Sequence, residues 1–468
     1  MEMKLILATI VATAIYATPL LAVEASYPPP PQPGQPISVE DTVYGVLRTH
    51  RNLRGMQENR EVLEHEVRRA QAGFGPRVDV TGRGGLSQYS DASTRNQDLD
   101  DRMYGYVGIS ARLVQPIWDG FATRSRVRAA KTTLESQKYR VFDTATSLSL
   151  DGIIAHIDLL RRRAIYALAE ENVARHKELV AQAEDRAALG ADTAADVTQA
   201  QSRLQRALSS LSETRASLLV AEDTYTRLTG LSTSEKLKPV TMPPQIFANA
   251  KAVMDQAEKA NPKLAAYLQD IRTARANREL ADSAFYPTLN LEAGPDYSNR
   301  GGGTDRWIYS FDALGVARWN IFNSGADLAE HKAASARVRQ ARQVMRNYAD
   351  DLKLDVESTW TNYQAAQEQY KHYGKAVEYN KYTCAAYIEQ FQIGKRSILD
   401  VLDAQNELYN SSTQAETARG NILVGAYRLS ALTGNMLREM SINTSPLAKK
   451  PARDPHDPRE EFAPGWFD

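Results

Sequence analysis

The sequence predicts a mostly α fold with a small β part, in which long helices carry four transmembrane β-strands per chain. Three observations lead there. Prolines leave two stretches empty, residues 117–238 and 296–445, of 122 and 150 residues, rich in Ala, Leu, Gln, Arg and Glu. Proline inside a helix costs about 3 kcal/mol, so these gaps are where very long helices can run. Short motifs recur at a fixed offset of 204 residues. Each copy of that repeat also carries two segments of about ten residues in which polar and apolar positions alternate.

The repeat is legible in particular residues. Ile117-Trp118-Asp119 matches Ile321-Phe322-Asn323, and Leu189-Gly190 matches Ile393-Gly394. Asp196-Val197 matches Asp400-Val401, and Leu228-Thr229-Gly230 matches Leu432-Thr433-Gly434. Upstream, Phe74-Gly75-Pro76 matches Phe285-Tyr286-Pro287 at an offset of 211, the difference being loop length. Two copies are too few for a solenoid.

Taken in order, residues 5–22 (LILATIVATAIYATPLLA) follow a short charged start, and Ala22 and Ala25 offer cleavage sites. Residues 1–25 read as a secretory signal peptide. The alternative is a membrane anchor, because 18 apolar residues sit at the lower limit for spanning. No cysteine lies near the cleavage site, which excludes a lipid anchor there. Residues 26–37 are a Pro-rich linker. The first copy covers 38–230. A helix is expected over 38–73, where apolar residues at 37, 39, 43, 46 and 47 have helical spacing. Strands follow at 77–90 and 103–117, then helices at 120–188 and 193–229. Residues 231–246 link the copies. The second copy, 247–434, repeats the plan: a helix over 247–285 broken at Pro262, strands at 287–298 and 307–321, helices at 324–392 and 397–433. Residues 435–468, rich in proline and charge, are expected to form a disordered tail.

Length constrains the assembly. At 1.5 Å per residue, 120–188 spans about 100 Å, while 193–229 and 38–73 each span about 55 Å. A long helix must bury its apolar stripe. Two half-length helices laid end to end cover one long helix, twice per chain.

Composition excludes several classes. Of 468 residues, 57 Lys and Arg balance 57 Asp and Glu, with no long basic run, so no nucleic-acid partner is expected. A mean hydropathy of −0.46 with one long apolar stretch excludes a multi-helix membrane protein. The single cysteine, Cys384, excludes disulfides within the chain and Cys-based zinc sites, and late in a long helix it reads as a packing residue. The seven histidines show no HExxH spacing, and there is no Gly-x-Ser-x-Gly and no P-loop. No catalytic residue, cofactor or metal site is therefore expected, and the chain does not read as an enzyme. His65-Glu66 reads as a solvated helical pair.

The strand segments carry the membrane signal. Residues 103–113 put Met, Gly, Val, Ile, Ala and Leu on one face, and Tyr, Gly, Ser and Arg on the other. Residues 307–317 place Trp307, Tyr309 and Phe311 opposite Ser310 and Asp312. Such alternation suits an outer-membrane barrel, and Trp118, Trp307, Trp319 and Phe322 at strand ends suit an interfacial aromatic girdle. A soluble sandwich core is the competing reading. Four strands cannot close a barrel, for which about eight is the practical minimum. Open edges are not tolerated in lipid. The chain must therefore oligomerise. Two copies give 8 strands and three give 12, and spacing alone does not choose.

Four motifs give the chain a family resemblance. They are Gln115-Pro-Ile-Trp-Asp-Gly120, its partner Asn320-Ile-Phe-Asn-Ser-Gly325, Gly190-Ala-Asp-Thr-Ala-Ala-Asp-Val197, and Gly394-Lys-Arg-Ser-Ile-Leu-Asp-Val-Leu-Asp-Ala-Gln405. Over residues 37–440 the chain resembles the TolC family of trimeric outer-membrane export ducts. The resemblance implies a homotrimer: a 12-stranded β-barrel in the outer membrane lipid above a long coiled-coil α-helical barrel in the periplasm. It implies as partners a periplasmic adaptor (membrane fusion) protein and an inner-membrane ABC or RND transporter. It also implies that the two glycine-containing turns form the periplasmic tips.

Family gate positions carry over residue by residue. Asp400 and Asp403 match the two ring aspartates, Arg396 a basic latch residue, and Asp196 its acidic partner on the neighbouring coil. Phe391 stands where the family often has a tyrosine. The plainer reading makes Gly190 and Gly394 helix-terminating positions. It makes Thr193-x-x-Asp196 and Ser397-x-x-Asp400 capping boxes, whose carboxylates favour a helix N-terminus. Asp403 has Gln199 as its repeat mate and Arg396 has Asp192, so the copies have diverged there. Threefold symmetry would put six carboxylates around one axis, favouring cations.

The function expected is an outer-membrane channel-tunnel, docked on an inner-membrane transporter and its adaptor, in type I protein secretion. Multidrug or solute efflux is the first alternative, and the absent lipid-anchor cysteine leans toward secretion by family habit. A periplasmic coiled-coil adaptor or scaffold is the alternative from a different class, and the duplicated strand pairs argue against it.

Overall fold

The computed structural model describes residues 27–32, 34–90, 92–96, 103–190, 193–233, 236–245, 247–299 and 306–448. The expected signal peptide, the strand-connecting loops at 97–102 and 300–305, and tail residues 449–468 lie outside the described residues.

The chain runs through α1 (Val39–Thr49), α2 (Arg51–Ala72), β1 (Arg77–Ser87), the short α3 (Ala92–Arg95), β2 (Tyr104–Trp118), α4 (Ala122–Ala188) and α5 (Ala194–Thr229). It continues through α6 (Ala250–Ala260), α7 (Pro262–Asp282), β3 (Thr288–Asn299), β4 (Trp307–Arg318), α8 (Ala326–Gln392), α9 (Ile398–Leu432) and the short α10 (Met436–Glu439). α4 and α8 each have 67 residues, begin 204 positions apart and span about 100 Å. α5 and α9 fold back along them as hairpins.

The helix boundaries follow local chemistry. Each long helix starts after two residues of positive φ: Gly120 and Phe121 (64° and 68°), then Ser324 and Gly325 (49° and 81°). One of each pair is glycine, because a Cβ is penalised in that region. At Gly120 a Cβ would also fall 2.8 Å from Tyr286 Cβ and 2.9 Å from the Ser283 carbonyl, so the strand-to-helix corner packs tightly on the chain leading into β3. At the other end, Gly190 and Gly394 turn the chain at φ 75° in both hairpins. Pro262 occupies the first turn of α7, where its missing N–H costs nothing, and Asn261 caps that helix.

The single helix expected over 38–73 is two, broken at His50 with ψ 114°. The break corrects phase. Six residues turn a continuous helix by about 600°, which would hold Leu47 and Leu53 some 120° apart. Both are instead buried in one core with Val43, Val141 and Ile153.

That core also corrects the expectation of a disordered tail from 435. Met436, Leu437, Ile442 and Leu447 are buried against α1, α2 and α4. Gln57 and the buried Arg60 donate to the carbonyls of Pro446 (3.4 Å) and Leu447 (2.9 Å). The four apolar side chains were diluted in sequence by the charged, proline-rich segment that follows. The linking segment is packed as well: Ile37 bridges Leu237 in parallel, and Leu231, Leu237 and Val240 are buried.

The four strands form one antiparallel sheet in the order β1-β2-β3-β4. Its two outer strands, β1 and β4, have one neighbour each.

Candidate functional site

The sheet and the two hairpin turns lie at opposite ends of the long helices. In an antiparallel sheet, paired residues share a face. The register pairs Val80 with Ala111, Gly82 with Ile109, Ile109 with Tyr297, and Tyr297 with Tyr309. One face therefore carries Val78, Val80, Leu86, Val107, Ile109, Leu289, Leu291, Tyr297, Tyr309 and Phe311, all exposed. No charged side chain stands on it within the four strands. The other face is polar. There Glu292, 8% exposed, joins Arg112 (3.2 Å) on β2 and Arg318 (3.0 Å) on β4 across three strands. One apolar face and one charged face is the pattern of a barrel wall between lipid and an aqueous lumen.

The four expected girdle residues are all exposed: Trp118 and Trp307 stand at the ends of β2 and β4, and Trp319 and Phe322 follow β4 by one and four residues. Trp307 stacks on Tyr297 at one rim, with ring centroids 4.7 Å apart. At the other rim Trp118 meets Phe121 edge-on at 4.5 Å, and Trp319 Nε1 donates to the Phe285 carbonyl at 3.2 Å. Pairing the strands alone would not reveal that Phe121, which precedes α4, and Phe285, in the turn between α7 and β3, join this rim.

At the hairpin end, the two turns differ. Thr193 and Asp196 form a complete capping box: Thr193 Oγ1 accepts from Asp196 N–H (3.2 Å), and the Asp196 carboxylate accepts from Thr193 N–H (3.2 Å) and Oγ1 (2.7 Å). These bonds hold the exposed Asp196 carboxyl below its ordinary range. Ser397 accepts from Asp400 N–H (3.3 Å), but the Asp400 carboxylate faces Arg396 at 3.7 Å.

Arg396 therefore turns to its own hairpin within one chain. Its guanidinium lies 4.0 Å over the Tyr387 ring and donates to Gln390 at 3.2 Å, and the structure does not bring it to Asp196 of the same chain. Phe391, the residue standing at the family's latch tyrosine, is buried in the tip core with Leu179, Ile398, Val401 and Leu402, under Arg186 at 4.7 Å. The aromatic partner of Arg396 is Tyr387, one turn earlier. Asp403 is held by Arg203 of α5 at 2.6 Å. Sequence reasoning missed Arg203. The available signal was the repeat itself, since Arg203 has Glu407 as its mate and Asp403 has Gln199.

A buried polar network sits midway along α4. His156 Nε2 faces the Lys238 carbonyl at 3.0 Å, which only accepts, so Nε2 donates. Its Nδ1 then accepts from Thr42 Oγ1 (2.8 Å), which lies 2.9 Å from the Tyr225 hydroxyl. Burial pushes the His156 imidazole below its usual range and the Tyr225 phenol up to about 12. The network ties α1, α4, α5 and the linking segment together. Cys384 is buried, with its thiol directed at Gln405 Oε1 (3.2 Å), and burial raises that thiol. Among the described residues no group of His, Cys, Asp and Glu could hold a metal ion, and no helix is long and apolar enough to cross a membrane.

The model of the outer membrane efflux protein family matches residues 43–231 and 253–435. Outer membrane efflux protein BepC of Brucella suis biovar 1 is 26% identical over 404 residues, covering 85% of this chain and 86% of that protein. Alkaline protease secretion protein AprF of Pseudomonas aeruginosa is 24% identical over 388 residues, covering 80% of each. The crystal structure of outer membrane protein VceC from Vibrio cholerae superposes with a TM-score of 0.72 at 17% identity, over 85% of this chain and 96% of that one. At that identity the likeness shows the fold.

Proposed function

The chain belongs to the outer membrane efflux protein family, and from that premise we propose that three copies close one continuous duct for polypeptides leaving by type I secretion. The protein is an outer-membrane channel whose helices lie in the periplasm.

The sheet supports closure by several copies. Its outer strands are nearly equal in length, 11 residues in β1 and 12 in β4, and both are open along one side. An open edge in hydrocarbon leaves backbone groups unsatisfied. Pairing β4 of one copy with β1 of the next removes every edge once the ring closes, and three copies, the number the family resemblance implies, give twelve strands around a lumen lined by the charged face. Twelve long helical segments then continue the lumen downward, and the hairpin turns narrow it. Asp400, Asp403, Arg396 and Asp196 line that narrow end, and the docking partners are a periplasmic adaptor and an inner-membrane ABC transporter.

Secretion is favoured by the likeness to AprF, a protein named for protease secretion. BepC's name favours efflux, and in that reading the cargo would be small solutes and the transporter of the RND class. Two measurements test the proposal. Protein extracted from outer membranes should give discrete single-channel steps in planar bilayers, and folded protein that gives none sinks the duct. A strain lacking the gene should lose specific proteins from its culture supernatant while keeping its drug tolerance. The reverse pattern replaces secretion with efflux.

A further inference from the structure

We propose that Arg203 sets the charge of the periplasmic constriction by neutralising Asp403 within the same chain, so that the narrow end is only weakly cation-selective. The proposal rests on the reading of the hairpin turns as the narrow end of a duct.

The geometry is specific. Arg203 Nη1 lies 2.6 Å from Asp403 Oδ1, and the pair joins α5 to α9, the returning arms of the two hairpins. The guanidinium side chain is 25% exposed and the carboxylate 58%, so the cation is tucked between the arms with the acid on its outer side. Ala200 and Ala207 on either side of Arg203 are buried, and Leu204 packs on the tip core, which fixes the direction in which Arg203 can reach. Asp400 has its own cation in Arg396, which lies over the Tyr387 ring. Both carboxylates in the first two turns of α9 are thus matched by arginines of the same chain.

The two copies of the repeat differ at both positions. At the 204-residue offset Asp403 corresponds to Gln199, and Arg203 corresponds to Glu407. The copy that carries an acid at 403 faces the copy that carries a base at 203. A carboxylate alone projects a field over a Debye length of about 8 Å at physiological salt. A carboxylate in contact with a guanidinium projects a dipole, which dies away faster with distance. Three copies would set six such acids against six arginines rather than leave six bare charges around the axis.

The test compares wild type, Arg203→Gln, Asp403→Asn and the double variant in planar bilayers. Reversal potentials in a KCl gradient and block by Mg²⁺ added at the hairpin end are read for each. Arg203→Gln is expected to raise the K⁺ over Cl⁻ preference and tighten Mg²⁺ block roughly five- to tenfold, as an uncompensated acidic ring should. Asp403→Asn is expected to move both quantities the other way, and the double variant to return close to wild type. Two results overturn the proposal: unchanged selectivity in Arg203→Gln, or both single variants shifting in the same direction, which a purely mechanical clasp would give. Wild-type protein without channel steps would count against the duct instead. The pair is then read without conductance, by Arg203→Cys with Asp403→Cys and a short bismaleimide on intact outer membranes. Failure to join α5 to α9 there overturns the pairing.

Discussion

α4 and α8 are equal in length and equivalent in the repeat, yet α4 buries 25 of its 67 residues and α8 nine. The difference is one of neighbours. α4 is packed by α1, α2, α5, α7 and α9, whereas α8 rests mainly on α7 and α9. Along α8, Leu354, Tyr379 and Tyr382 stand 65%, 65% and 70% exposed. The duplication has produced one helix that finishes its packing inside the chain and one that does not. In the trimer proposed above, the uncovered side of α8 is where the next copy seats. The same asymmetry holds for the sheet, complete in its register but open at both edges.

Truncating the same repeat position in both helices should separate α4 from α8 most strongly. Ile153 of α4 is fully buried, and its repeat mate in α8 is the exposed Glu357. Ile153→Ala should cost about 2–5 kcal/mol by loss of contact and a residual cavity. Glu357→Ala should stay within about 0.5 kcal/mol. Urea unfolding of detergent-solubilised protein, followed by circular dichroism, reads both. Equal losses would mean that α8 is as load-carrying within the chain as α4.

A substitution on the uncovered side should separate fold from assembly. Burying a large apolar side chain contributes about 1.5–3 kcal/mol, and a trimer buries three copies of each. Leu354→Asp should therefore dissociate the trimer while leaving the helical signal of the protomer intact, as light scattering beside circular dichroism would show. A trimer that survives this change would turn that side of α8 toward solvent or toward another partner.

These pairs also mark what the sequence could disclose. The helix lengths were legible because proline is excluded from helix interiors, and the strand faces because their period is two. The equality of α4 and α8 followed from the constant offset of motifs such as Leu189-Gly190 and Ile393-Gly394. What was hidden depends on contacts between distant positions. Arg203 and Asp403 are 200 positions apart, and in the sequence only the divergence of each from its repeat mate marks them. Tyr387 and Phe391 lie one turn apart on the same helix, so spacing could not say which meets Arg396 and which enters the core. The tail residues 436–447 carry their apolar signal on four side chains that are meaningful only against α1 and α2. The break at His50 has no proline or glycine to announce it.

Acid should weaken the α4 side first, by a smaller amount. His156 and His176 both lie on α4, while the equivalent α8 positions are Trp360 and Asn380. Burial pushes both imidazoles below their ordinary pKa. Below about pH 6.5 the unfolded chain therefore takes up protons that the folded chain refuses, so stability is full above that pH and falls as pH drops toward the folded values. Asp143 and Asp151, also on α4, have carboxyls raised by burial. They act with the opposite sign, regaining stability only as pH falls into the carboxylate range. The urea midpoint should drop between about pH 7.5 and 5.5, and less in His176→Asn. A midpoint constant over that window would place the acid sensitivity outside α4.

The smallest expected effect distinguishes the two turns. Thr193 closes a complete capping box on α5, with bonds in both directions, whereas Ser397 of α9 receives one bond while the Asp400 carboxylate is engaged by Arg396. Removing an N-cap hydroxyl costs about 0.5–2 kcal/mol. Thr193→Ala also deprives the Asp196 carboxylate of its hydroxyl partner, so its cost should sit toward the upper end. Ser397→Ala should sit toward the lower end, because the Arg396–Asp400 pair still holds the start of α9. Hydrogen exchange over the first turn of each helix reads the difference without requiring global unfolding: faster exchange at 194–197 in Thr193→Ala than at 398–401 in Ser397→Ala. Equal acceleration at both turns would mean that Arg396 contributes nothing to holding its hairpin closed. The second tip would then be capped no differently from the first, despite the charges that set the two apart.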